Sequence, residues 1–282
     1  MEERMPAPIR WLLIANVGIF VAGAVATFFG FPLHSLLVGM GALVPELTWG
    51  HFQLWRVFTY MFLHGDIWHL LFNMMSLWMF GTPLCWAMGE RRFTLLYFAS
   101  GLLAGLFSLA FYPLAGQGYL YIIGASGALF GLMYGYARFF PEQRILVFFF
   151  FPMPAKYAVW LFGAISLFFA MGGQAGGGVA HATHLFGILG AILFFKVEDR
   201  MSAAIEKAVT WREREAVRKA AEELMSHEEF YDTRVDPILK KISKHGMESL
   251  TKQEKDILAK ASQRKRPDNE VDLERWRRDH NR

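Results

Sequence analysis

Six apolar segments follow one another along the first 200 residues, and they restrict the possible fold more than any other feature of the sequence. A helix needs about 20 apolar residues to cross the hydrocarbon core of a bilayer. The segments approach or reach that length, and none of them contains an Asp or a Glu. They comprise residues 11–29, 67–88, 93–112, 120–137, 157–171 and 180–195. The chain is therefore predicted to be an all-α membrane protein with six transmembrane helices.

The composition agrees with this class of protein. Hydrophobic residues make up 54% of the chain, aromatic residues 16% and charged residues only 19%, which is more apolar than an ordinary soluble domain. The single cysteine, Cys85, lies inside the second apolar segment. The sequence therefore allows no intrachain disulfide and no zinc cluster built on thiolates.

Two stretches between the apolar segments do not qualify as spans. Residues 31–66 scatter proline, glycine and charged residues among aromatic ones, which indicates an interfacial loop with short amphipathic helices. Residues 145–151 are apolar but few, and Pro152 and Pro154 follow them. We expect this second stretch to lie at the membrane interface.

Positive charges indicate how the helices are oriented. If six helices alternate in direction, the basic residues near their ends share one side, which the positive-inside rule assigns to the cytoplasm. The opposite loops, 113–119 and 172–179, carry no charged residue. We expect a multi-pass protein of the cell (inner) membrane with both termini in the cytoplasm. The basic residues are Arg4, Arg10, Arg91, Arg92, Arg138, Arg144, Lys156, Lys196 and Arg200.

The character of the sequence changes after Lys196. We divide the chain into a membrane domain, residues 1–200, and a cytosolic part, residues 201–282, with a charged helix over 202–225. Charges of both signs alternate along this part, so a solvated surface is a better interpretation than a nucleic-acid site, despite the net charge of +4.

A small helical hairpin is predicted within the cytosolic part. Asp236 is the expected N-cap of its first helix, with Pro237 in the first helical position and Gly246 after the last turn. Thr251-Lys252-Gln253-Glu254 is a capping-box pattern that opens its second helix. A basic tail follows Arg264.

Four polar residues are predicted to lie at one depth of the membrane domain. The second, fourth and sixth helices run in the same direction, so residues early in each reach a similar level. These residues are Ser126, His184, His69 and Asn73, of which the last two are four apart and share a helix face. Strongly polar groups inside a membrane are costly and mark functional sites. Their convergence is the main prediction from the sequence.

Simpler interpretations exist for each of these residues. Gly127, Gly131 and Gly135 recur every four residues and allow close approach of a neighbouring helix, and single polar residues serve as hydrogen-bonding contacts between helices. His181 and His184, with His64 or His69, form a weaker candidate metal site. We predict no metal and no cofactor.

The lack of intramembrane carboxylates limits the possible chemistry. It argues against an aspartyl protease, which needs two acidic groups, and against a Ser-His-Asp triad within the membrane. A Ser-His dyad remains, in which His184 removes the proton of Ser126 as that oxygen attacks an amide. His69, Asn73 and the Ser126 backbone N–H are candidate donors to the resulting oxyanion.

At these residues the sequence resembles the rhomboid intramembrane serine proteases, from Asn16 to about Phe195. The serine motif stands as Gly124-Ala125-Ser126-Gly127, the His-x-x-x-Asn motif as His69 to Asn73, and the histidine motif as Ala180-His181-Ala182-Thr183-His184-Leu185-Phe186-Gly187. Trp55-Arg56 resembles the Trp-Arg pair of the family's first loop, and Glu90-Arg91 its charged cap after the second helix.

The resemblance implies a rhomboid fold and further roles. It makes His184 the base, His181 an accessory residue, Phe130 the ring that packs on His184, and Gly124 a residue that helps to stabilise bound substrate. Residues 172–179 would form a mobile cap over the site. The implied substrates are transmembrane segments of other membrane proteins, reached within the lipid bilayer. One departure is that Ala191 stands where the family usually has glycine, with Gly190 beside it.

Two other classes of protein stay open at this stage. One is a rhomboid-like protein that binds membrane clients without cutting them, and it is disfavoured because both residues of the dyad are present. The other is a channel or transporter, which is disfavoured because charges cluster at the helix ends and no acidic residue lines a span.

Overall fold

A computed structural model describes residues 4–147, 150–171, 180–224 and 227–263 of the chain. The chain divides into two compact units, Met1–Arg200 and Met201–Arg282. The predicted cap, residues 172–179, and the predicted basic tail lie outside the described residues.

The first unit is built almost entirely from helices. Its main helices are α1 (Ala7–Phe28), α2 (Leu33–Gly41), α3 (Pro45–Gly50), α4 (Arg56–Thr59), α5 (Ile67–Ser76), α6 (Thr82–Met88), α7 (Glu90–Leu114), α8 (Ser126–Phe139), α9 (Ala155–Met171) and α10 (His181–Leu224). A 3-10 turn, Tyr60–Phe62, precedes α5, and a π-helical segment, Leu77–Gly81, joins α5 to α6. The predicted all-α membrane fold is confirmed.

Three of the described helical stretches are long and apolar enough to cross a membrane: Ala7–Phe28, Ile67–Met88 and Glu90–Leu114. The stretch Ala155–Met171 is apolar but shorter. The predicted total of six spans therefore stays a prediction for the other segments. The short helices α2, α3 and α4 occupy the region predicted as an interfacial loop with short helices.

The fourth predicted span begins later than expected, and the predicted start near residue 120 is wrong. Leu43 and Ile122 form an isolated antiparallel bridge, and the Gly124 N–H donates to the Tyr60 carbonyl. Gly124 has φ +114°, which is incompatible with a right-handed helix. These backbone contacts hold residues 120–125 outside the helix, so α8 starts at Ser126.

The apolar stretch near residue 145, which was expected to lie at the membrane interface, forms a strand that the sequence did not predict. Arg144–Val147 and Phe151–Pro154 pair as a two-stranded antiparallel hairpin. Its second strand carries both prolines, which is possible because each strand has only one partner among the described residues and needs no N–H on its other side. This hairpin is the one β element in the described part of the chain, apart from the Leu43–Ile122 bridge.

Small residues bring α8 against α7 and α10. A Cβ on Gly187 of α10 would overlap the carbonyl oxygen of Gly127, and a Cβ on Gly131 would overlap the Ser100 side chain of α7. The prediction that Gly127 and Gly131 allow close approach of neighbouring helices is thereby confirmed. Gly190 faces Ser100 of α7, while Ala191 is fully buried.

The second unit contains α10 beyond Arg200 together with α11 (His227–Phe230), a π-helical segment (Tyr231–Val235), α12 (Asp236–His245) and α13 (Lys252–Gln263). The capping box is confirmed, because the Thr251 N–H donates to the Glu254 carboxylate at 2.7 Å and the Glu254 N–H donates to Thr251 Oγ1 at 3.3 Å. Gly246 ends α12 with φ +75°.

The predicted N-cap at Asp236 is wrong. Asp236 is the first residue of α12 rather than its cap, because the π-helical segment runs directly into this helix and Val235 takes the capping position. The helical backbone continues through this position, so there is no separate helix N-terminus whose free N–H groups the Asp236 side chain could cap.

Candidate active site

Ser126 stands at the N-terminus of α8, and its Oγ lies 2.9 Å from Nε2 of His184. The first N–H groups of a helix have no acceptor within the helix, and the N-terminus carries a partial positive charge. The hydroxyl of Ser126 therefore lies beside the His184 imidazole, at the end of α8 where the first N–H groups have no acceptor within the helix.

The His184 ring is held in one orientation by Phe130. The two rings stack with centroids 4.3 Å apart and planes 7° from parallel. Ser126 and Phe130 are four residues apart on α8, so they point to the same side of that helix. One helix face thus supplies both the hydroxyl and the ring that orients the imidazole.

Glycine makes the contact between Ser126 and His184 sterically possible. Gly127 and Gly187 each follow one of these residues closely in sequence, and their backbones meet where α8 crosses α10. A side chain at Gly187 would separate the two helices. The distance between the hydroxyl and the imidazole depends on this backbone contact.

His69 reaches the same region from α5. Asp66 caps this helix, since its Oδ1 accepts the N–H groups of Trp68 and His69, each at 2.9 Å. The Gly65 N–H lies 3.5 Å from Nδ1 of His69, and an amide can only donate, so this contact leaves the ring proton on Nε2. Nε2 points toward Gly124, where an added Cβ would lie 2.6 Å from it.

Asn73 stands one turn further along α5 and is almost fully buried. Its Nδ2 donates to the His69 carbonyl at 3.0 Å, and a Cβ on Gly124 would lie 3.6 Å from the same nitrogen. Asn73 therefore lies near Gly124, and one of its two amide protons is used within its own helix.

His181 contacts the His184 ring. Its ring packs edge to face on His184 with centroids 5.8 Å apart, and it stacks on Phe169 at 5.1 Å. The structure thus brings Ser126, His184, Phe130, His69 and Gly124 together, and it places His181 beside the His184 ring.

Sequence reasoning missed Ser166 of α9. Its Oγ lies 3.4 Å from Nδ1 of His184, on the opposite edge of the ring from Ser126. The available signal was weak: Ser166 is the single aliphatic hydroxyl in a helix that is otherwise apolar over residues 158–171. Such a residue is equally typical of helix packing.

A cavity of about 440 Å³ opens over the serine. Asp66 at its edge is the one carboxylate among the lining residues, and the hydrogen bonds from the His69 and Trp68 N–H groups lower its pKa. The lining residues are Tyr60, Gly65, Asp66, His69, Tyr121, Ile122, Ile123, Gly124, Ser126, Ala180, Thr183 and His184.

The weaker candidate, a metal site, finds no support in the geometry. Among residues 4–147, 150–171, 180–224 and 227–263, no three His, Cys, Asp or Glu side chains are grouped closely enough to hold an ion. The site is an arrangement of hydroxyl, imidazole and amide groups.

Comparison with known proteins agrees with the motifs. Residues 51–198 match the model of the Rhomboid domain, and residues 232–264 match a family of unknown function (DUF6576). Rhomboid protein 1, mitochondrial, of Saccharomyces cerevisiae is 37% identical over 53% of this chain and 45% of its own length. The putative rhomboid protease YdcA of Bacillus subtilis is 36% identical over 37% of this chain and 51% of its own length.

A third relative, the rhomboid protease GluP of Bacillus subtilis, is 33% identical over 41% of this chain and 22% of its own length. The chain thus spans about half, or less, of the length of these relatives. The Rhomboid match, by contrast, covers just over half of the 282 residues and includes Ser126 and His184. The chain belongs to the rhomboid family and is a membrane protein.

Proposed function

We propose that this protein is an intramembrane serine endopeptidase that cleaves transmembrane segments of other membrane proteins with a dyad of Ser126 and His184. The observation that carries the proposal is the 2.9 Å contact between Ser126 Oγ and His184 Nε2 beside an open cavity. The names of two relatives, the putative rhomboid protease YdcA and the rhomboid protease GluP, support it further.

The reaction follows from the roles of the two side chains. Ser126 Oγ attacks the carbonyl carbon of a peptide bond, and its proton passes to Nε2 of His184. When the C–N bond breaks, the imidazolium returns that proton to the leaving amine. A water molecule then repeats the sequence on the acyl-enzyme ester and releases Ser126.

Three donors are proposed to stabilise the negative oxygen of the tetrahedral intermediate. The Ser126 N–H is at a helix N-terminus, and His69 presents a protonated Nε2 toward Gly124. Asn73 has one amide proton beyond the bond to its own helix. Preorganised donors of this kind contribute about 2–4 kcal/mol each to transition-state stabilisation.

The membrane setting completes the proposal. The described apolar helices and the family place the protein in a bilayer, and we propose the cell (inner) membrane with both termini in the cytoplasm. Its partners would be lipid and transmembrane substrates, and no cofactor is required, since the dyad supplies both nucleophile and base.

The direct test is cleavage of a transmembrane model substrate by purified protein in lipid vesicles. We expect the wild type to cut and Ser126→Ala to lose at least about 1000-fold in rate, because the nucleophile is removed. Equal cleavage by both proteins would reject the proposal.

Fluorophosphonate labelling separates an enzyme from a rhomboid-like protein that only binds clients. The probe reacts with an activated serine, so we expect labelling of the wild type and its loss in His184→Ala. His181→Ala is the matched control, since it removes a neighbouring imidazole that does not contact the hydroxyl. If labelling persisted in His184→Ala but disappeared in His181→Ala, the base would be His181 and our assignment of His184 would be wrong.

A further inference from the structure

A third polar side chain lies against the imidazole of His184, at the edge opposite to the nucleophile. Ser166 Oγ is 3.4 Å from Nδ1, whereas Ser126 Oγ is 2.9 Å from Nε2. With the ring face stacked on Phe130, both nitrogen edges and one face of the imidazole have protein neighbours.

Ser166 faces His184 as a consequence of how α9 packs on α10. Gly163, three residues earlier, lies at this contact, since a Cβ on it would be 3.4 Å from the Ile188 side chain, an ordinary van der Waals distance. Val159, Gly163 and Ser166 repeat at helical spacing and are all buried, so they form one face of α9. Ser166 itself is only 3% exposed.

The chemistry of a neutral imidazole gives this contact a function. One ring nitrogen carries the proton and the other accepts a hydrogen bond. Only the tautomer with the proton on Nδ1 leaves the Nε2 lone pair free to receive the proton of Ser126. In an apolar environment an Nδ1–H without an acceptor is unfavourable, so the tautomer depends on what lies beside Nδ1.

We propose that Ser166 is a positioning residue that accepts the Nδ1–H of His184 and thereby maintains the tautomer required of the base. A serine within a helix can donate its own proton to the carbonyl one turn earlier, which leaves its lone pairs for the imidazole. This inference rests on the proposed function, because a tautomer matters for catalysis only if His184 acts as a base.

The ¹⁵N NMR signals of the histidine ring nitrogens test the contact directly, in full-length protein in lipid bicelles. We expect the wild type to show the Nδ1–H form of His184 and Ser166→Ala to shift toward the Nε2–H form. The His184→Gln spectrum identifies the signals. Ser100→Ala is the control, because Ser100 is also fully buried but packs on Gly131 and Gly190, and it should leave the tautomer unchanged.

The rate of fluorophosphonate labelling tests the consequence for reactivity. Removal of a neutral hydrogen bond should slow Ser166→Ala by about fivefold. Ser166→Thr and Ser166→Val have nearly equal size and differ in the hydroxyl, so we expect Thr to label about fivefold faster than Val. This pair keeps the test valid if the alanine variant does not fold.

The outcomes are distinct for the two proposals. An unchanged tautomer in Ser166→Ala and Ser166→Val, or equal labelling of the Thr and Val variants, would overturn the role of Ser166. If the wild type neither cleaves nor labels, the proposed function fails, while the NMR spectra still decide whether Ser166 holds the Nδ1 proton.

Discussion

The first unit (the membrane unit, Met1–Arg200) and the second unit (the C-terminal unit, Met201–Arg282) are each stabilised internally by a different kind of contact. Around the candidate site, α8 and α10 meet backbone to backbone at Gly127 and Gly187, which lie far apart in the sequence. In the C-terminal unit, Thr251 and Glu254 cap α13 from three residues apart, and Lys241 pairs with the same carboxylate at 2.8 Å.

The difference shows where a sequence carries its structural information. A capping box satisfies N–H groups within its own turn, so it can be recognised from four consecutive residues of the sequence. Close approach of two membrane helices needs small residues on both partners, and either partner alone is compatible with many neighbours. Three substitutions would sharpen this contrast.

The largest expected effect comes from Gly187→Ala. Its Cβ would overlap the Gly127 carbonyl, which is backbone and cannot move aside. We expect a loss of about 3 kcal/mol or more in the free energy of unfolding in micelles, together with loss of fluorophosphonate labelling. Gly18→Ala is the control, since nothing lies within 4 Å of its Cβ. Equal stability of the two variants would contradict the backbone contact.

An intermediate effect is expected for Gly124→Ala. This residue has φ +114°, and its Cβ would lie 2.6 Å from Nε2 of His69. We expect labelling of Ser126 to slow by about tenfold, with about 1–2 kcal/mol of strain.

Gly30→Ala separates strain from displacement of His69, because Gly30 has φ +85° with nothing within 4 Å. It should show similar strain and normal labelling. A comparable loss of labelling in both variants would mean that His69 has no special relation to Gly124.

The smallest effect is expected in the C-terminal unit. The bond to Lys241, followed by the Thr251 N–H, lowers the pKa of Glu254 from 4.5 to about 2. A lowered pKa stabilises the folded state above pH 4.5, and this contribution disappears as the pH falls toward 2.

Hydrogen exchange of the α13 amides in full-length wild type and Glu254→Gln measures this contribution. The two proteins should differ above pH 4.5 and converge near pH 2, with equal Ser126 labelling at neutral pH. A difference that does not change with pH would mean that the carboxylate charge plays no part.

Much of the fold was accessible from the pattern of residues. Apolar length predicted the three described stretches that are long enough to cross a membrane. The glycine repeat predicted close packing of α8, and the spacing of His69 and Asn73 placed them on one helix face. The prediction that Asp236 is an N-cap was wrong because the Asp236-Pro237 sequence looks the same whether a helix starts there or continues from a preceding turn. The hairpin near residue 145 was missed because the periodicity of a short apolar run does not distinguish a strand from a buried helical segment.

The residue types and their spacing were enough to identify Ser126, His184, His69 and Asn73 as one group, since polar side chains are costly in a bilayer and few segments can contain them. Tertiary structure decided the rest. Gly124 and the bridge between Leu43 and Ile122 put Ser126 at the first position of α8, rather than within an earlier helical turn. The packing of α9 against α10 brought Ser166 to Nδ1 of His184. Both features depend on contacts between segments distant in the chain, and no local pattern encodes them.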